Sequence, residues 1–239
     1  MTIETPRRAG RKALLTRESI VAAAMRLIER QGYDALTIRN VAAELGVKSA
    51  SLYWHFPTKE ALVDRLADEV LADLKQGQPS RDWRRDLREG SLRLFRYLLS
   101  KRDAARLRAG RLLTGPHSLR LMESGLGVFR RAGLKPRDAA FASHAVHVYV
   151  VGFVIFAVSP LSAIEADGAS PEQALSVART TLASLPAAEF PNLVELAGPL
   201  TEGSRDERFL FGLDCLIAGI AHWVGGARDD RRAVEDSSA

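Results

Sequence analysis

Apolar residues recur at helical spacing along nearly the whole sequence, and no segment alternates apolar and polar residues as a strand would. The first helical segment lies between Thr16, a good N-cap residue, and Gly32, a helix terminator. Similar segments follow one another as far as residues 206–224. The sequence therefore predicts an all-α protein with roughly nine or ten helices.

The composition is that of a soluble globular protein, with 46% hydrophobic and 26% charged residues, which excludes a chain that is disordered throughout. A single cysteine, Cys215, excludes a disulfide scaffold, and the basic N-terminus lacks the apolar core of a signal peptide. The net charge of +5 favours an anionic partner such as nucleic acid, although arginine-rich usage in a GC-rich genome explains it equally well.

The uncharged stretch Ala139–Ile164 is long enough to cross a bilayer. It contains His144 and His147, however, and its neighbours are amphipathic helices of the soluble type. We therefore expect no membrane span, but a helix that ends at Pro160 and is buried all round, in a core or at a subunit interface.

Residues 37–59 carry the pattern of a helix-turn-helix. Thr37 caps a short helix, Gly46 breaks it, and a second short helix follows over Lys48–His55. Apolar residues of both helices close a small core, which presents the second helix to the major groove of double-stranded DNA. This core is predicted to consist of Val41, Ala42, Leu45, Val47 and Leu52.

The side chains around the second helix suit DNA contacts. Short side chains at its N-terminal end can approach base edges, longer ones nearby can reach phosphates, and Arg39 is placed for a bidentate contact to guanine. Trp54 is expected in the core, because its neighbours in sequence are apolar. The base-approaching residues are Ser49, Ala50 and Ser51, and the phosphate-reaching residues are Tyr53, His55 and Lys59.

The run GYDALTIRNVAAELGVKSASLYWHFPTKEALVDRL resembles the DNA-binding domain of TetR-family transcriptional regulators. The variant LYWH and the later segments KRDAARL, FRRAGLKPRDA and FLFGLDCLIAGI resemble the tetracycline repressor branch of that family. The resemblance implies a three-helix DNA-binding domain followed by a helical ligand-binding and dimerisation domain. It also implies a homodimer that pairs through the long apolar helix and the last helix.

The resemblance implies roles for individual residues as well. Base reading falls on Arg39, Ser49, Ala50 and Ser51, whereas Tyr53 and Lys59 take backbone-contact and base-approach roles. Thr37, Lys48 and His55 complete the predicted DNA-binding set. The expected domains are a flexible basic arm at residues 1–15, the DNA-binding domain at 16–63, the ligand-binding and dimerisation domain at 64–226, and a disordered charged tail at 227–239.

A ligand cavity inside the C-terminal domain is a further implication of the resemblance. Arg108 occupies the position of the branch's magnesium-binding histidine, and Phe156 the position of a metal-site contact. We therefore expect no metal and no cofactor, and an effector that is largely apolar, with Arg108 and His147 to orient a carbonyl, phenolate or carboxylate group. The predicted lining residues are Lys75, Leu94, Arg108, Leu112, Leu126, Phe129, His147, Val151 and Phe156.

Several alternatives stay open at this point. Arg108 could instead point to solvent and pair with Asp103, and His144 with His147 could hold a metal, although no third ligand is near in sequence. The dimer seam is expected along Gly212 and Gly219, with Cys215 buried beside them.

The sequence thus predicts a cytoplasmic, homodimeric repressor that binds a palindromic operator and is released by a small molecule. An activator or a ligand-independent regulator on the same fold is the first alternative. An enzyme that uses the apolar cavity is another, but the sequence carries no nucleophile motif, no His/Cys cluster and no phosphate-binding glycine loop.

Overall fold

The computed structural model describes residues 15–111, 114–166 and 170–224, without the side chains of residues 159–166 and 171. In this part of the chain every regular element is helical, which confirms the all-α prediction. The helices are α1 (Arg17–Gln31), α2 (Ile38–Glu44), α3 (Ser49–Tyr53), α4 (Lys59–Glu69), α5 (Trp83–Ser100), α6 (Ala104–Arg108), α7 (Pro116–Arg131), α8 (Pro136–Ala166), α9 (Pro171–Ala183), α10 (Pro191–Glu195), α11 (Ala197–Thr201) and α12 (Arg205–Ala221).

Polar caps mark the helix starts, and those predicted at Thr16 and Thr37 are confirmed. Side-chain oxygens of Thr16, Thr37 and Thr58 accept hydrogen bonds from the backbone N–H groups of Ser19, Asn40 and Ala61 at 3.0–3.1 Å. Ser170 caps α9 in the same way, with Pro171 as the first helical residue. These bonds satisfy donors that the first turn of a helix leaves free, so short polar residues mark the starts reliably.

Two features differ from the sequence-based expectation. Helix α8 continues past Pro160 to Ala166, so the prediction that Pro160 ends it is wrong. A proline inside a helix removes one backbone hydrogen bond but does not always end the helix. The segment after α9, which is rich in Pro, Ala and Gly, also folds into the short helices α10 and α11, which the sequence did not predict.

The chain divides into two compact units, Met1–Leu66 and Ala67–Ala239. In the first unit, helices α1, α2 and α3 and the start of α4 surround an apolar core. Val41, Ala42 and Leu52 belong to it as predicted, whereas Leu45 and Val47 are only half-buried. The other core residues are Ile20, Val21, Ala23, Ala24, Leu27, Ile28, Leu36, Ile38, Phe56, Leu62, Val63 and Leu66.

An aromatic cluster forms the centre of the second unit, where α5, α8 and α12 pack together. The rings of Phe95 and Phe209 stack with their centroids 4.1 Å apart, and Phe153 meets both rings edge-on at 5.6 and 5.4 Å. Tyr149 lies against Phe209 and donates a hydrogen bond from its hydroxyl group to the Phe209 carbonyl oxygen at 2.7 Å. Aromatic contacts therefore fix the relative positions of these three helices.

Helix α8 is long and apolar enough over Pro136–Val158 to satisfy the length and hydropathy expected of a membrane span. One face of it packs in the second unit, where Val146, Val150 and Val154 are buried. The opposite face lies at the surface of the single chain, so the expectation of a helix buried all round is wrong for one chain. A subunit interface on that face stays a prediction.

The two glycines of α12 do not share one role. A β-carbon on Gly212 would overlap the hydroxyl group of Tyr149 in the same chain, whereas one on Gly219 would meet open space. Gly212 therefore makes room for an aromatic side chain of its own chain, and only Gly219 is free for a seam with a second copy. Cys215 is exposed in the single chain rather than buried.

Candidate DNA-reading surface and effector pocket

The turn between α2 and α3 depends on Gly46. Its φ of 65° lies in the left-handed region, where a side chain would be strained. The Val47 N–H donates to the Ala42 carbonyl at 3.0 Å and the Gly46 N–H donates to the Ala43 carbonyl at 3.1 Å, which is the Schellman ending of a helix. This turn directs the chain into α3 and fixes the angle between the two helices.

Helix α3 presents its N-terminal end and its last turn to solvent. Lys48 is exposed at the N-cap, Ala50 is exposed, and the hydroxyl-bearing Ser49 and Ser51 are half-buried. Leu52 is fully buried and anchors the helix from below. Short side chains on a helix held in this way let the backbone approach base edges closely.

Longer side chains surround this end of α3. Tyr53 is half-exposed, and His55 and Lys59 are partly exposed. The Lys59 ammonium group lies 5.8 Å from the centroid of the Tyr33 ring, which limits its conformational freedom. Arg39 is exposed on α2. All of these groups lie within the first unit, on helices that its core holds in place or, for His55, in the turn between α3 and α4.

Trp54 is 90% exposed, so the prediction that it belongs to the core is wrong. The apolar neighbours that suggested burial, Leu52 and Phe56, lie on the inner side of the chain, whereas Trp54 follows the last residue of α3 and points outward. An indole ring this exposed beside Tyr53 adds an apolar surface to the end of the reading helix. Sequence reasoning missed it because burial is the default for tryptophan.

Polar contacts outside the reading helix stabilise the unit. Glu44, at the end of α2, forms ion pairs with Arg26 and Arg30 of α1. The Arg17 guanidinium group lies 5.7 Å from the centroid of the Phe56 ring. These contacts tie α1 to α2 and to the segment that follows α3, and they leave the exposed face of α3 uncovered.

The predicted pocket residues fall into two groups. Leu94, Phe129, Val151 and Arg108 are buried in the second unit. Phe156 is 79% exposed in the single chain, so one chain does not bring it into its interior. Leu126 is half-buried, Lys75 and His147 are exposed, and Leu112 lies outside the described residues.

Arg108 points inward, with only 4% of its surface exposed. Its Nη1 donates to the Ala67 carbonyl oxygen at 2.8 Å and to the Ser118 hydroxyl oxygen at 3.2 Å. The alternative of a solvent-facing Arg108 paired with Asp103 is therefore wrong, and Arg106 forms that pair instead, at 3.4 Å. Burial lowers the pKa of Arg108 to about 10, against the opposing effect of Asp68, so the group stays charged at neutral pH.

Asp68 is the buried carboxylate of this network, and sequence reasoning missed it. Its two oxygens accept hydrogen bonds from the N–H groups of Ser118 at 2.7 Å and His117 at 3.3 Å, which caps the start of α7. Burial alone would raise the pKa of Asp68, but these donors outweigh it and the pKa lies below its ordinary value. A β-carbon on Gly115 would overlap the Asp68 carboxyl group, so only glycine permits this approach.

His147 lies on the α8 side of this network. The side chain is exposed in the single chain, but surrounding protein atoms still reduce its hydration enough to lower its pKa, and the positive charges of Arg108 and His144 lower it further. His147 is therefore neutral at physiological pH and can accept or donate a hydrogen bond. Among the described residues, no three His, Cys, Asp or Glu side chains come together as a metal site would require.

A cavity of about 220 Å³ lies at a different place, between the turns that follow α4 and the first two turns of α7. None of the predicted pocket residues lines it, so it is not the predicted effector site. Its lining residues are Leu71, Ala72, Leu74, Gln76, His117, Arg120 and Leu121.

The first unit, with its glycine turn and exposed short helix, defines a helix-turn-helix DNA-binding protein. The family model "Bacterial regulatory proteins, tetR family" matches residues 20–66, and "Tetracyclin repressor-like, C-terminal domain" matches residues 76–224. The chain belongs to the TetR family of transcriptional regulators.

Curated relatives agree with this assignment over nearly the whole chain. The class G tetracycline repressor protein of Vibrio anguillarum is 34% identical over 209 residues, which are 86% of this chain and 93% of the relative. An HTH-type transcriptional regulator of Saccharopolyspora erythraea is 32% identical over 219 residues, 90% of this chain and 88% of the relative.

Solved structures share the fold. ActR of Streptomyces coelicolor in complex with actinorhodin has a TM-score of 0.79 and 33% identity, and the match covers 90% of this chain and 99% of ActR. A variant of TetR from Acinetobacter baumannii AYE in complex with minocycline has a TM-score of 0.65 and 32% identity, with 89% of this chain and 99% of that chain covered.

Proposed function

We propose that this regulator is a cytoplasmic homodimeric repressor, that it binds an inverted-repeat operator, and that a small, largely apolar molecule releases it. The surface of α3 is the observation that carries the proposal. Short side chains at its N-terminal end approach base edges, and Tyr53, His55 and Lys59 contact the phosphates beside them. Arg39 reads a guanine, and Thr37 and Lys48 add backbone contacts.

A second copy of the chain explains the apolar surface of the C-terminal unit. Helix α8 exposes Phe141, Val148 and Phe156, and α12, which packs against α8, exposes Phe211. Apolar surface of this extent on a soluble protein marks an interaction site. Pairing of α8 and α12 with their counterparts buries it and gives the dimer a two-fold axis, which an inverted-repeat operator matches.

The effector binds in the C-terminal unit, among Leu94, Phe129 and Val151. Relatives support a ligand here, since ActR binds actinorhodin and the Acinetobacter TetR variant binds minocycline. This chain has Arg108 where the tetracycline repressor branch has a metal-binding histidine, so binding needs no magnesium. Apolar area removed from water supplies most of the affinity.

Operator binding is tested by selecting sites from random DNA and measuring their affinity by gel shift. We expect an inverted repeat whose half-sites are centred about one helical turn or more apart. A DNA with one half-site scrambled is the matched control and should bind much more weakly. Affinity should fall steeply as salt increases, since phosphate contacts release counterions. A protein that sediments as a monomer, or prefers no inverted repeat over random DNA, contradicts the proposal.

Effector release is tested on the operator complex with magnesium and with a chelator. Release by an apolar aromatic compound that is unchanged by the chelator supports the proposal. Tight release by tetracycline only in the presence of magnesium contradicts it, as does release by a sugar phosphate. A reporter assay separates repression from activation. The selected operator is placed either within a reporter promoter or upstream of it, because bound protein blocks RNA polymerase only when the operator lies within the promoter.

A further inference from the structure

Among the described residues, one nitrogen of the buried Arg108 guanidinium group has no hydrogen-bond partner. The Nη1 of Arg108 donates to Ala67 and Ser118, but its Nε is buried without a hydrogen-bond acceptor. A buried donor without an acceptor destabilises the structure, and more so when the group is charged. An acceptor at this position therefore has a large energetic advantage.

No residue that the structure describes supplies that acceptor. Asp68 is the carboxylate whose charge acts on Arg108, but its two oxygens accept from the backbone of Ser118 and His117. Ser118 is held in turn, because its N–H is bonded to Asp68 and its hydroxyl group to Arg108. The network fixes the guanidinium group from one side and leaves Nε–H for a group that comes from outside the network.

We propose that the effector carries an anionic oxygen, of a carboxylate or a phenolate, on an apolar frame, and that the Nε–H of Arg108 binds this oxygen. The inference rests on the proposed effector site and names the chemical class of its ligand. Charge-assisted hydrogen bonds of this kind are about twice as strong as neutral ones. A cationic ligand is excluded from the same position, because it would lie against a buried positive charge.

The surroundings fit such a ligand. Leu94, Phe129 and Val151 are buried in the same unit, and they are the apolar residues we propose for contact with its frame. His147 interacts electrostatically with Arg108 and is neutral, so it can donate a second hydrogen bond without adding charge. One cation, one neutral donor and apolar neighbours select an amphipathic anion over a highly charged metabolite.

Two fluorescent probes that share one ring system distinguish the contribution of the anionic group to binding from that of the apolar rings. N-phenyl-1-naphthylamine is neutral, and 1-anilinonaphthalene-8-sulfonate adds a sulfonate, whose oxygens stand in for those of the carboxylate. Both fluoresce strongly when they leave water. We expect one site per chain on the full-length protein, and at least tenfold tighter binding of the sulfonate. Arg108→Gln should abolish this preference, and the control Arg106→Gln should keep it, because Arg106 is exposed and pairs with Asp103.

Arg108→Lys keeps the charge but removes the Nε–H group, and it should lose most of the preference. If it keeps the full preference, the charge and not Nε selects the ligand, and the assignment to Nε is overturned. A preference that survives in Arg108→Gln overturns the inference altogether. If neither probe binds the wild-type protein, the proposed effector site fails instead, so the two failures are distinguishable.

A measurement on the wild-type protein alone covers the case in which the Arg108 variants do not fold. Bound N-phenyl-1-naphthylamine is displaced with 2-naphthoate and, separately, with its neutral isostere 2-naphthamide. We expect the carboxylate to displace the probe at a concentration at least tenfold lower than the amide. Equal displacement by the two compounds would mean that the Nε–H of Arg108 binds water and not the ligand, and the inference would be wrong.

Discussion

The reading surface of the first unit and the Arg108 network of the second unit both present hydrogen-bond donors, but they are built in opposite ways. The reading surface uses exposed side chains within residues 37–59, and Leu52 holds them from below. The network uses buried groups, and the bond between Ser118 and Asp68 joins residues 50 positions apart. Substitutions in the first region should therefore change DNA binding alone, whereas substitutions in the second should change folding and ligand binding together.

The largest effect is expected for Asp68→Asn. Removing this buried carboxylate costs about 3–5 kcal/mol, because α7 loses its charged cap and the buried charge of Arg108 loses the negative charge that favours it. Since the pKa of Asp68 is lowered in the folded state, its contribution is present above the ordinary aspartate pKa and is lost as the pH falls through the folded-state value.

Urea unfolding of both proteins between pH 7 and pH 3 measures this contribution. The stability difference between wild type and Asp68→Asn should shrink toward the acid end of the range. Asp73→Asn is the control, because Asp73 is exposed. A difference that stays constant with pH would show that the Asp68 carboxylate is not ionised in the network.

Gly115→Ala should be the next most destabilising change, by about 2–3 kcal/mol. The new methyl group overlaps the Asp68 carboxyl group and forces it away from the first N–H groups of α7. Gly90→Ala is the matched control, since the nearest atom is 4.0 Å away and alanine favours the helix. Thermal unfolding measures both variants, and equal stability of the two would contradict the capping role of Asp68.

Arg39→Ala should cost roughly 1–3 kcal/mol in operator binding and relax the preference at one base pair per half-site. Its unfolding free energy should change by no more than about 0.5 kcal/mol, because the side chain is exposed. Lys59→Ala should instead weaken specific and random DNA alike and reduce the salt slope by about one. If Arg39→Ala also weakens binding to specific and random DNA equally, Arg39 contacts the DNA backbone and not a base.

The smallest effect on folding is expected for Trp54→Ala, within about 0.5 kcal/mol of wild type. The indole ring is 90% exposed, so little apolar contact is lost. Phe56→Ala, two residues away but 5% exposed, should cost about 3–5 kcal/mol. Chemical denaturation compares the two, and a large loss for Trp54→Ala would place that ring inside the fold.

The same contrast explains what could be predicted from the sequence. Thr16 and Thr37 were predicted as caps because each bond reaches only three residues along the chain. The fold class and the surface of α3 follow from such local patterns. Asp68 and Gly115 were missed because the residues next to them in the sequence give no sign that the Asp68 carboxylate caps a helix 50 residues later.

The exposed apolar faces of α8 and α12 have a consequence for the amount of protein in the cell. In the proposed homodimer a second copy covers Phe141, Val148 and Phe211, so folding would include an association step and the fraction of folded protein would depend on its own concentration. A regulator present in few copies then loses stability when its expression falls. Dilution alone would therefore lower its melting temperature, and the level of expression would set both how much regulator exists and how long each copy survives.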